Sequence, residues 1–206
     1  MSAFATLASL YNMPAALGST RDVSRADPIS HAFEQFFVSV ERQAFKMAQI
    51  ALRNEDDALD AVQDAMLVMV RSYSDKPPPE WRPLFYRVLQ NRVRDVQRRR
   101  SVRSRFMAWL PGNQDELESV EDPMAQVASG DLQPAARLQV DEAIGALELA
   151  LAELPDRQRE AFMLRNFEGM DVAETATTMG CSDGSVKTHY FRALQQLRAK
   201  LGEHWE

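Results

Sequence analysis

One cysteine, three histidines and eight glycines in 206 residues leave little room for several kinds of chemistry. A lone thiol, Cys181, closes no intramolecular disulfide and builds no metal cluster, which fits a reducing compartment. It is expected as a small buried turn residue. His31, His189 and His204 are scattered and none pairs with a nucleophile, so no enzymatic activity, metal site or cofactor is expected. No apolar run approaches the roughly 20 residues that cross a bilayer. The first residues also lack the basic segment of a secretory signal. The chain reads as cytoplasmic, with no membrane insertion.

What is present is globular in composition, 45% hydrophobic and 26% charged. The net charge of −6 hides a strong asymmetry. Residues 81–105 hold nine arginines against Asp95 alone, whereas residues 112–131 hold six acids and no base. A basic segment inside an acidic chain is the electrostatic footprint of nucleic-acid contact, and the total charge conceals it.

Taken in order, residues 1–30 lack sustained periodicity and are expected as a mobile extension with a short helix near 4–11. Residues 31–52 carry an apolar stripe at helical spacing, from Phe33 through Val40 and Met47 to Ala51. A second helix is expected over 54–73, with Ala58, Val62, Ala65, Met66 and Met69 inside. Asp57, Asp60 and Asp64 share its opposite face, beside Gln63. No histidine or cysteine joins those acids to make a metal site, so the better functional reading is a docking face for a basic partner. SDKPPPE, residues 74–80, is expected as a stiff extended loop. A third helix over 81–105 turns Tyr86, Leu89, Val93 and Val96 inward and lines up Arg87, Asn91, Arg94, Arg98 and Arg105 outside. That cationic stripe, beside the aromatic start at Trp81, suits contact with a nucleic-acid backbone. Residues 106–135, acidic and punctuated by proline and glycine, read as a flexible linker.

Beyond the linker, residues 136–154 and 157–166 are amphipathic. The first carries an apolar stripe that includes Ile144, Leu147, Leu151 and Leu154. DVAETATTMGCSDGSVKTHYFRALQQLRAK, residues 171–200, then reads as two helices around a tight turn. Asp171 and Glu174 form a capping box, Gly180 supplies a left-handed stop, and Ser182 caps the last helix. The last helix has an apolar back, Val186, Tyr190, Ala193, Leu194 and Leu197. Its front carries Lys187, Thr188, Phe191, Arg192 and Gln195, with Ser185 near its start. Cations able to reach guanine or phosphate, with a hydroxyl and an aromatic for a thymine methyl, suit the major groove. An ordinary helical hairpin with a solvated face is the plain alternative.

DDALDAVQDAMLVMV (56–70), WRPLFYRVLQNRVRDVQRRR (81–100) and ELPDRQREAFMLRNFEGMDVAETATTMGCSDGSVKTHYFRAL (153–194) together resemble bacterial sigma factors. More narrowly they resemble the extracytoplasmic-function (ECF) group of the sigma-70 family. The resemblance implies an all-α chain of two small helical domains joined by a flexible linker, with region 2-like residues 31–105 and region 4-like residues 136–206. It implies that Asp60, Gln63 and Asp64 face the β′ clamp helices of core RNA polymerase. By the same likeness Arg87, Asn91 and Arg94 face the promoter −10 element, and Lys187, Thr188, Phe191 and Arg192 the −35 major groove. Core RNA polymerase, through its β′ and β subunits, promoter DNA and an anti-sigma factor are the implied partners. Departures are local. SDKPPPE replaces a glycine- and serine-containing stretch, Leu84 stands where a tryptophan is usual, which leaves Trp81, Phe85 and Tyr86 as the aromatics to stack on unpaired −10 DNA, and Lys187 and His189 stand where arginines are common. A stand-alone helix-turn-helix regulator and a decoy that titrates an anti-sigma factor are the competing readings.

Overall fold

The computed structural model describes residues 28–109 and 134–202, with side chains over 31–103 and 142–202. Seven α-helices and no strand occur among the described residues: α1 Pro28–Leu52, α2 Glu55–Ser72, α3 Pro78–Trp109, α4 Pro134–Ala152, α5 Asp156–Asn166, α6 Val172–Met179 and α7 Asp183–Leu201. The predicted all-α class is the observed one. Most of the predicted N-terminal extension, including its short helix, and most of the acidic linker lie outside the described residues. The parts of both that are described are helical, since α1 opens at Pro28, α3 runs to Trp109 and α4 opens at Pro134. Proline suits the first helical position, where no N–H partner is needed.

The same rule corrects the SDKPPPE loop. Pro78 and Pro79 are the first two residues of α3, so only part of the stretch connects helices. Pro83 therefore lies inside α3 rather than in its first turn.

The first three helices pack on one another around a stripe read from each. Phe33, Phe37, Val40, Ala44 and Met47 of α1 meet Ala58, Val62, Ala65 and Met69 of α2 and Phe85, Tyr86, Leu89 and Val93 of α3, all buried. The side chain of Asn54 caps α2 by accepting from the Asp57 amide at 2.8 Å. In the C-terminal group, α7 lies against α4, α5 and α6. Leu151, Leu154, Ala161, Phe162, Leu164, Met179, Val186, Ala193 and Leu197 fill that core. The predicted α4 stripe is covered only toward its C-terminal end: Leu151 is fully buried, but Ile144 is 47% exposed. Helices α1 and α4, and α3 and α6, also touch, so the two groups form one closed body.

Candidate nucleic-acid interface

The helix-turn-helix is built by its caps. The Asp171 carboxylate accepts from the Glu174 amide at 2.8 Å, and the Glu174 carboxylate accepts from the Asp171 amide at 2.9 Å. Gly180 ends α6 at φ 63° and ψ 43°, a conformation a side chain would strain. Ser182 Oγ then accepts from the Ser185 amide at 3.2 Å and starts α7. Ser185, half-buried, shares a 2.9 Å hydroxyl contact with Ser182 and so belongs to the cap. Cys181, expected to be buried, is only half-buried, and desolvation pushes its thiol pKa up.

Val186, Ala193 and Leu197 bury the back of α7. Tyr190 stacks toward Phe162 at 6.2 Å between ring centroids, with the Arg165 guanidinium 5.7 Å over its ring. Those contacts fix the rotation of the helix and leave Lys187, Thr188, Phe191, Arg192 and Gln195 exposed together. Phe191 is 60% exposed, an unusual place for a phenylalanine without a partner. Neither Lys187 nor Arg192 forms an ion pair among the described residues. The Thr188 hydroxyl donates to the Gly184 carbonyl at 2.9 Å. His189, half-buried, is held below its ordinary pKa by burial first, then by Arg157 and Arg192.

Arg157, which no motif or spacing singles out, braces this unit. Its guanidinium donates to Glu160 and to the Met179 carbonyl, each at 3.0 Å, tying the start of α5 to the end of α6. Glu160 is buried, which raises its carboxyl pKa against the opposing pull of Arg94 and Arg157.

The predicted α3 face is less uniform. Asn91 and Arg98 are exposed, and Arg98 pairs with Asp95 at 3.3 Å. Arg87 donates to the Thr177 carbonyl of α6, and Arg94 lies 3.7 Å from Glu160 of α5. Trp81 and Tyr86 correct the sequence reading. Trp81 is 4% exposed, stacks on Phe33 at 4.1 Å and donates its indole N–H to the Lys76 carbonyl at 2.8 Å. Its spacing with Phe85 and Leu89, four residues apart each time, places all three on the inner stripe. Tyr86 is fully buried. Desolvation, then the neighbouring Glu168 carboxylate, push its phenol pKa far up. Neither ring is offered to a base in this arrangement.

On α2, Asp57 pairs with Arg100 and Asp64 lies 3.8 Å from Arg92, both from α3. Asp60 is exposed without an ion pair among the described residues, and Gln63 is half-buried. The acidic and basic faces therefore adjoin, which linear spacing did not reveal. No three acids, histidines or cysteines among the described residues gather to hold a metal.

The arrangement is all-helical, a basic N-terminal group beside a C-terminal group whose helix-turn-helix leaves the front of its last helix exposed, as in the helical class of transcription proteins. The Sigma-70, region 4 family profile matches residues 144–197. The ECF RNA polymerase sigma factor SigM of Mycobacterium tuberculosis is 31% identical over 176 residues, 84% of this chain and 78% of that protein. The RNA polymerase sigma factor NccH of Alcaligenes xylosoxydans xylosoxydans is also 31% identical, over 83% of this chain and 87% of its own. The fold is similar to that of RpoE from Bartonella quintana, solved with the anti-sigma factor NepR. The TM-score is 0.63 at 24% identity, covering 82% of this chain and 96% of that one. The chain belongs to the ECF group of sigma-70 family sigma factors, the subunits that direct RNA polymerase to promoters for transcription initiation.

Proposed function

We propose that this sigma factor divides promoter recognition between residues 31–105 and 136–206, with Asp57, Asp60, Gln63 and Asp64 toward core polymerase. Arg87, Asn91, Arg94 and Arg98 would face the −10 element, with Trp81 and Tyr86 holding the helix rather than stacking on bases. Ser185, Lys187, Thr188, Phe191 and Arg192 would engage the −35 element. The exposed front of α7 is the observation that carries this reading. Its backing is packed, and its cations are not committed to internal acids.

A good bidentate base contact discriminates by about 1–3 kcal/mol, enough for one helix to choose a sequence. Affinity is a different matter. Residues 136–206 hold eight lysines and arginines against twelve acids, so few phosphate contacts are available and duplex binding without polymerase is weak. The protein performs no chemistry of its own and works in the cytoplasm, where polymerase is. No described helix is long and apolar enough to cross a membrane. The pairing of RpoE with NepR supports an anti-sigma factor as a regulatory partner.

The test is titration onto sigma-free core polymerase, read by co-migration and run-off transcription from a promoter library, with an Asp60→Ala/Asp64→Ala variant alongside. Saturable binding and new start sites, both weakened in the variant, are expected. Tight sequence-specific duplex binding by the protein alone, with no polymerase binding, would instead identify a stand-alone regulator.

A further inference from the structure

We propose that Tyr190, gripped by Asn166 and Arg165 of α5, is a positioning residue for −35 recognition. It sets the roll of α7 about its own axis, and so decides which bases Lys187, Phe191 and Arg192 discriminate. The proposal rests on the reading of α7 as the −35 helix.

The apolar backing of α7 does not set that roll. At 3.6 residues per turn, Val186, Ala193 and Leu197 fall within about 40° of one another around the axis. All three are fully buried. Contacts along so narrow a line are non-directional: they hold the helix down and leave it free to rock. Rocking matters because the reading groups stand away from the axis. At a radius of about 5–6 Å, a roll of about 15° carries a side chain sideways by roughly 1.5 Å. Hydrogen bonds span a window of only about 0.5 Å between heavy atoms, so that displacement breaks a base contact or moves it to a neighbouring base.

The directional contacts sit at the edge of the stripe, and all of them fall on Tyr190. Its ring lies 20° from parallel with Phe162, the centroids 6.2 Å apart. The Arg165 guanidinium stands 5.7 Å from the ring centroid, within cation–π reach. The Tyr190 hydroxyl donates to Asn166 Oδ1 at 3.3 Å. Each partner is itself oriented. Asn166 Nδ2 donates to the Phe162 carbonyl at 2.9 Å, which turns its oxygen toward the tyrosine. Arg165 donates to the Met170 carbonyl at 2.6 Å. Three residues of one helix therefore hold both the ring and the hydroxyl.

Burial alone would be met by an aliphatic side chain, as it is at Leu197. The ring face and the hydroxyl serve direction instead. Tyr190 lies behind the exposed front and touches no base. Phe191 follows it directly and Lys187 is one turn before it, so the grip on Tyr190 is transmitted to both through rigid backbone.

The experiment uses core polymerase loaded with the full chain and a promoter recovered from the library. Run-off transcription is compared between the intact promoter and a set carrying single-base changes in the −35 element. The ratio of the two outputs measures discrimination. Tyr190→Leu, Tyr190→Phe, Asn166→Ala and the Tyr190→Phe/Asn166→Ala double variant are set beside the parent. Tyr190→Leu keeps the apolar backing and is expected to lower the ratio about three- to tenfold. Tyr190→Phe and Asn166→Ala are each expected to lower it by less. Their losses should not add, because both remove the same hydrogen bond. A merely structural role lowers all outputs in proportion and leaves the ratio fixed. An unchanged ratio in Tyr190→Leu, with or without lower output, therefore overturns the proposal, as do additive losses in the double variant. A parent that shows no −35 discrimination overturns the reading of α7 itself, whereas a discriminating parent with indifferent variants removes only the role of Tyr190.

Discussion

Two helices of this protein carry cations in similar array, yet they differ in what those cations do. On α7, Lys187 and Arg192 stand exposed, with Phe191 between them in sequence, and no acid among the described residues answers them. On α3, Arg82, Arg87 and Arg94 are met by Glu168, a backbone carbonyl and Glu160, and Arg92 and Arg100 are met by the acids of α2. A run of arginines in sequence therefore states a capacity for phosphate. Only the fold states whether that capacity is free. The comparison also separates two ways of holding a helix. Helix α7 is held from behind, by Val186, Ala193 and Leu197, whereas α3 is covered behind by an aromatic core and along part of its front by the C-terminal helices.

Substitutions can break or sharpen that contrast. The largest effect is expected for Trp81→Ala, which removes a ring stacked in the core and costs about 3–5 kcal/mol of stability. Thermal unfolding checks it, and an unchanged midpoint with lost promoter opening would return Trp81 to the DNA face. Next, Lys187→Ala and Arg192→Ala are each expected to weaken promoter-specific transcription by about 10–100-fold. Their unfolding midpoints should barely move, because neither side chain is packed. Asp171→Ala removes the cap of α6 and costs about 1 kcal/mol, measurable by denaturant unfolding. Both faces lean on α6, α7 through the Gly180 turn and α3 through the Thr177 carbonyl, so this variant should loosen both modestly.

The smallest effect concerns pH. His189 has a folded pKa below its ordinary value, so the unfolded chain binds the proton more readily. Its contribution to stability is fully present above the ordinary histidine value and is lost as pH falls through the lower folded value. His189→Gln should flatten the pH dependence of the unfolding midpoint in that acidic window and leave it unchanged near neutrality.

Much of this was legible because local chemistry and tertiary packing agree. The capping box at Asp171, the left-handed Gly180, the Ser182 cap and the split of α7 into packed and exposed faces are all written in residue type and spacing. Trp81 is ambiguous in sequence, because an aromatic at a helix start beside arginines looks like a stacking platform, while its four-residue spacing to Phe85 and Leu89 says core. Pro78 and Pro79 look like loop because proline ends helices, although it is equally suited to begin them. Glu168, Glu160 and Arg82 carried no signal at all. Their pairing joins residues 86 positions apart for Arg82 and Glu168, a contact that helical periodicity cannot register.

The central claim is that the exposed front of α7 carries promoter recognition. The most direct measurement is run-off transcription by core polymerase loaded with the Lys187→Ala/Arg192→Ala variant, from a promoter with its −35 element intact and from one with that element scrambled. The predicted result is that the variant loses transcription from the intact promoter about as far as scrambling does, and that the two losses do not add. Full loss on scrambling with the variant unimpaired on the intact promoter would contradict it.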